Sequence, residues 1–123
     1  MSAQNPTLNY SVPDDGVKFK ATINPKKRIH DGIVFFYRPI DAVERKSCGY
    51  RINVLNRDEK FDQSAWEEVK QVLERIESWN MAVPVDDFIA RKAKLSPAIF
   101  QDIYNVVWGY EAADELEIVT KNS

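Results

Sequence analysis

Cys48 and His30 are the side chains best suited to nucleophile and base chemistry in this 123-residue sequence, and two carboxylate groups, "DEKFD" (58 to 62) and Asp86-Asp87, could share acid–base work. Spacing argues against both. A nucleophile needs its base within hydrogen-bond reach and a third group to orient that base. Cys48 and His30 fall in different predicted elements with no such third group, so His30 reads as a solvated residue of a basic loop. Each carboxylate group sits where a helix begins, and negative side chains there satisfy free amides and offset the helix dipole. One cysteine forms no internal disulfide, and with one histidine it cannot close a zinc site. Gly16, Gly32, Gly49 and Gly109 are too far apart for a phosphate-cradling loop. The expectation is a protein that is not an enzyme, with no catalytic, cofactor-binding or metal-binding residues.

"IARKAKLSPAIFQDIYN", residues 89 to 105, has the outline of a helix-turn-helix, with a second helix opened by Pro97. A recognition helix needs polar or basic side chains near its exposed N-terminal positions. "SPAIFQDIYNVVWGY" has no Lys or Arg and one acid, Asp102, and the chain's net charge is −2, the wrong sign for phosphate attraction. Arg91, Lys92 and Lys94 in the preceding helix read as a solvated face. Nucleic acid is not the expected partner, and a DNA-binding regulator using residues 86–108 remains the alternative. No run approaches the roughly 18 apolar residues of a membrane span. The polar N-terminus lacks the basic and apolar regions of a secretion signal. A cytoplasmic protein is expected.

These side chains must be positioned by one domain, the default for a chain of this length with 44% hydrophobic and 29% charged residues. Residues 1–16, with Pro6, Pro13 and Gly16, read as a flexible arm that orders only on a partner or docking groove. Residues 17–110 form the domain, as a hairpin (17–38) and a helical part (41–110), and 111–123 are an acidic tail. Val17, Phe19, Ala21 and Ile23 alternate with Lys18, Lys20 and Thr22, the period of a half-buried strand. "NPKKRIHDG" turns the chain into "IVFFYR", the second strand. Asp41 caps a helix through "AVERKSCGYRINVLNR". Trp66, Val69, Val72, Leu73, Ile76 and Trp79 share one stripe and predict a helix reaching Trp79, started by a Ser64–Glu67 capping box or at Asp62. After Pro84, Asp86 caps a short helix; Ser96 caps the last, with Pro97 at its first position and Gly109 as its stop. The tail "YEAADELEIVTKNS" continues that helix or frays. The fold class is α+β, an N-terminal antiparallel β-hairpin packed on three or four α-helices.

Phe100, Ile103, Tyr104 and Val107 give the last helix its core stripe. Val106 and Trp108 lie off that stripe and Tyr110 extends this second region, so this helix is either buried on two sides or exposes an aromatic patch. Lys26, Lys27 and Arg28 oppose Glu111, Asp114, Glu115 and Glu117 in charge, which suits association between chains or a contact within one. Arg38, between an apolar strand and a proline, is placed to pair with Asp41 or Glu44 at the following helix start. The candidate partner-binding residues are Trp108, Val106, Tyr110, Arg38 and Trp79.

"FFYRPIDAVER" followed by "IESWNMAVPVDDFIARKAKLSPAIFQDIYNVVWG" resembles the tail assembly chaperones of long-tailed bacteriophages over residues 34 to 110. Tyr37-Arg38-Pro39, Ser78-Trp79, Pro84 and Gly109 occupy the family's motif positions; Asn80 stands where the family usually has aspartate, and the loop lacks its usual glycine. The resemblance implies a non-enzymatic protein of the host cytoplasm. It would coat the tape measure protein and bring tail tube subunits, the major tail protein, to it. Such chaperones are often also made as a longer frameshifted product. A homo-oligomer is compatible with this role, and another small virion assembly protein is the second alternative.

Overall fold

The computed structural model describes residues 17–119. Alternation builds its first hairpin: β1 (Lys18–Ile23) buries Ala21 and Ile23, while β2 (Ile33–Tyr37) buries Ile33, Phe35 and Tyr37. Cross-strand pairs such as Ala21 with Phe35 and Ile23 with Ile33 put these side chains on one face. Lys18, Lys20, Thr22, Val34 and Phe36 alternate with them and occupy the other. Lys26 and His30 bridge inside the loop, and Gly32, at φ 114°, makes the left-handed step into β2.

Four helices follow or interrupt the sheet: α1 (Ala42–Arg57), α2 (Phe61–Leu73), α3 (Val85–Arg91) and α4 (Pro97–Val107). Asp41 caps α1 as its sequence predicts, its Oδ1 accepting the Glu44 N–H at 2.7 Å. Pro97 opens α4, and Gly109, at φ 82°, closes it. The Tyr110 N–H donates to the Asn105 carbonyl and the Gly109 N–H to that of Val106, which satisfies two end carbonyls. Ile103, Val106, Val107 and Trp108 from α4 meet Val72 and Leu73 of α2, Phe88 of α3 and the inner sheet residues in one core. Each fully buried aliphatic or Phe side chain here contributes roughly 1.5–3 kcal/mol.

The α+β class holds, but the sheet has four strands rather than two, all antiparallel, in the order β3-β2-β1-β4. The predicted helix to Trp79 stops at Leu73, and Ile76–Trp79 form β3 against β2. The Arg75 guanidinium ends the helix by donating from Nη1 to the Gln71 carbonyl at 2.7 Å, and its backbone carbonyl accepts the Arg38 N–H at 2.8 Å. A three-residue gap between Ile76 and Trp79 suits a helix stripe, yet the free edge of β2 offers hydrogen bonds that a further helical turn does not.

The expected acidic tail is corrected likewise: Glu115–Val119 neither fray nor continue α4 but form β4, paired with β1 from Lys18↔Val119 to Thr22↔Glu115. Helix starts shift too. α2 begins at Phe61 after Lys60, ahead of both predicted caps, so Asp62 lies in the first turn and Ser64 is buried inside. Pro84, not Asp86, precedes α3, and Ser96 stands at the α4 N-cap without a capping side-chain bond. Among the described residues no helix is long and apolar enough to cross a membrane.

Candidate protein-binding surfaces

One seam joins β2, α1 and the α2–β3 turn through Glu44. Its Oε2 accepts from Arg38 Nη1 at 3.1 Å and from Arg75 Nη2 at 3.0 Å. Arg38 is exposed and pairs with Glu44 rather than with Asp41, which is engaged in capping. Arg75 is buried, its guanidinium 5.3 Å from the Trp108 ring centre and 3.4 Å from Cys48 Sγ. Gln71 Nε2 donates to the Cys48 carbonyl at 2.9 Å and completes the seam. Its Arg75 Nε is buried without a hydrogen-bond partner among the described residues. Cys48 is thus packed between Arg51 and Arg75 in the core, whereas the side-chain contacts of His30 are with Asp102 and Gly32.

Trp79 is half-buried at the end of β3. Its indole Nε1 donates to the Val83 carbonyl at 2.7 Å and its ring meets Phe88 edge-on at 5.4 Å, so it pins the following loop onto α3. Asn80 closes the β3 pairing by exchanging bonds with Val34 and Gly32.

Of the aromatic residues around α4, Trp108 and Val106 are each 7% exposed, whereas Tyr110 is 56% exposed. The two-sided burial is therefore the arrangement adopted, and of the three only Tyr110 presents a substantial surface. The Tyr110 ring stacks on Tyr104 and carries the Arg45 guanidinium 4.2 Å from its centre. These residues line a groove of about 240 Å³ between α1, α2 and α4, floored by Gln71 and Trp108 and flanked by Gly49 and Glu68. A Cβ at Gly49 would meet nothing within 4 Å, so α1 leaves the groove open at this point. Partial burial and, less strongly, Glu68 push the Tyr104 hydroxyl above its ordinary pKa, against the opposing effect of Arg45. A broader depression of about 600 Å³ lies beside Trp66, between Leu55, Gln63, Glu67 and Lys92.

His30 is not the solvated residue that its basic loop suggests. Its side chain is 5% exposed. Nδ1 accepts the Gly32 N–H at 3.2 Å, which assigns the proton to Nε2, 3.1 Å from Asp102 Oδ2. Lys26 Nζ donates to the other Asp102 oxygen at 2.7 Å, and this bond, the largest cause, raises the Lys26 pKa. The basic loop thus contacts α4 within the chain, and Asp114 accepts the Asn24 N–H at 2.7 Å. Asp102 is occupied, Gln101 bonds Asn105, and Arg91 pairs with Asp87.

No protein-family model matches the sequence, and neither a curated protein nor a solved structure matches it. Of the five residues singled out in the sequence, Tyr110 and Arg38 are exposed, Trp79 is half-buried, and Val106 and Trp108 are buried; Arg45, Glu68 and Gly49 beside the groove were missed. Their partners come from three helices, and no local spacing records that meeting. Leu116 and Ile118, the exposed apolar residues of β4, were missed with the strand itself, although "ELEIV" alternates as strands do.

Proposed function

We propose that this protein is a non-enzymatic tail assembly chaperone of a long-tailed bacteriophage, binding the tape measure protein and the tail tube subunit during tail morphogenesis in the host cytoplasm. The observation that carries this reading is the convergence of the motif residues. Tyr37 ends β2, with Arg38-Pro39 directly after it, and Ser78-Trp79 lie on the neighbouring β3; Tyr37 pairs with Ile76 and Arg38 is tied through Glu44 to Arg75. A motif built of such joints accounts for a shared scaffold whose outer surfaces do the binding.

The surface chemistry suits reversible protein contacts. Tyr50, Phe61, Tyr110, Leu116 and Ile118 expose apolar area, and aromatic residues flanked by charges are the usual make-up of interface centres. The Tyr110–Arg45 rim of the α1–α2–α4 groove is the proposed contact.

A co-expression pull-down against the tape measure protein encoded in the same tail operon tests the assignment, with random duplex DNA as the parallel bait. Capture that survives rising salt supports a chaperone. Retention on DNA alone, lost steeply as salt rises, would replace it with the DNA-binding alternative.

A further inference from the structure

β4 is an edge strand. Among the described residues it pairs only with β1, so its other side presents unpaired backbone donors and acceptors. Its two faces differ sharply. Leu116 and Ile118 share a face with their register partners Ala21 and Phe19, the face the helices cover elsewhere, yet they are 51% and 66% exposed. The helical layer stops short of β4. On the opposite face Glu115 and Glu117 stand in a row, and no ion pair engages either among the described residues. The lysines of β1 share that face but lean away from β4: Lys18 pairs with Glu77 of β3, and Lys20 lies over the Phe36 ring of β2.

We infer that the free edge of β4 is a docking site for an extended partner segment in which apolar and basic residues alternate. Such a strand would extend the ladder, cover Leu116 and Ile118 with its apolar side chains, and set its cations against Glu115 and Glu117. β1 has this pattern, Lys-Phe-Lys-Ala, and its register on the inner edge sets Lys20 opposite Glu117 and Phe19 opposite Ile118, although its lysines are drawn to β2 and β3 and leave both glutamates unpaired among the described residues.

Charge selects this occupant over two others. A second copy pairing β4 to β4 in plane would bring four glutamates onto one face, where like charges are destabilising. The chain's own residues 1–16 contain no Lys or Arg, so they offer no side-chain cation to Glu115 and Glu117. The site is independent of the chaperone assignment, since it follows from the edge and its charges alone.

The test uses the full chain and two fluorescent heptapeptides, Val-Lys-Phe-Lys-Ala-Thr-Ile and its counterpart with both lysines replaced by glutamate, followed by anisotropy. The lysine peptide is expected to bind at least ten-fold more tightly. Glu115→Lys with Glu117→Lys should reverse that preference, and Leu116→Ser with Ile118→Ser should weaken the lysine peptide about ten-fold. All four positions are exposed, and circular dichroism checks that the variants fold. Slowed amide hydrogen exchange at residues 115–119 of the unaltered chain on adding the lysine peptide is a second expected result. Equal binding of the two peptides, a preference unmoved by the charge reversal, or no binding at about 1 mM peptide would overturn the proposal. Binding that ignores the serine substitutions would also overturn it, because attraction would then be electrostatic and not a strand addition.

Discussion

The Arg75 guanidinium lies 5.3 Å from the centre of the Trp108 ring, so a buried cation sits against the aromatic residue that closes α4. Through Glu44 the same cation reaches Arg38 at the end of β2. Four elements therefore share one polar connection beside the apolar core.

Removing the anion from that connection should be severe. Glu44→Ala leaves Arg75 buried and uncompensated and is expected to destabilise the fold by about 3 kcal/mol, read from urea unfolding. Arg38→Ala, at an exposed position, should change stability by less than about 1 kcal/mol. Equal effects of the two would show that Arg75 does not depend on Glu44.

Trp108→Ala is expected to cost about 3–5 kcal/mol and to lower the melting temperature sharply, because the ring is part of the core. Tyr110→Ala should leave the melting temperature within a few degrees while weakening tape measure capture. A fully stable Trp108→Ala protein would contradict the packing described for α4.

Burial pushes the Tyr37 hydroxyl up to about 12. Unfolded tyrosine titrates near 10, so between these values the unfolded chain has lost the proton that the folded chain retains. Stability is full below about pH 10 and falls as pH rises toward 12, by about 2–3 kcal/mol. Tyr37→Phe should flatten this alkaline decline in pH-dependent urea titrations while leaving the remaining pH profile unchanged.

Glu59 adopts φ 58° in the turn between α1 and α2, where the Lys60 N–H bonds the Leu55 carbonyl and the Glu59 N–H that of Asn56. A side chain in this left-handed conformation is disfavoured by roughly 1 kcal/mol, and glycine is not. Glu59→Gly should raise the melting temperature by roughly 4 °C, measurable by calorimetry.

Local signals made much of this fold legible. The Lys-Phe-Lys-Ala alternation marks β1, Asp41 marks the start of α1, and Pro97 and Gly109 bracket α4. β3 was hidden because Ile76 and Trp79 continue a helical stripe, and only the open edge of β2 decides otherwise. β4 was hidden by its charge: Glu115 and Glu117 suggest a solvated tail, although they alternate with Leu116 and Ile118. The groove was half visible. Tyr110 was singled out with burial and exposure both open, and Arg45 above it and Gly49 beside it belong to a helix far away in sequence. His30 was misplaced since its partner Asp102 lies on α4, and a basic loop in isolation reads as solvated.

Lys18 and Val119 pair across neighbouring strands, so the described chain enters and leaves the sheet at one corner. A short peptide linker could join these two positions, and new ends could be opened at the exposed Asp58–Lys60 turn without interrupting a strand. Tags or fusion partners attached directly before Lys18 or after Val119 would emerge beside the paired ends of β1 and β4, whereas ends opened at the α1–α2 turn would carry them away from that corner and spare the whole sheet for surface immobilisation.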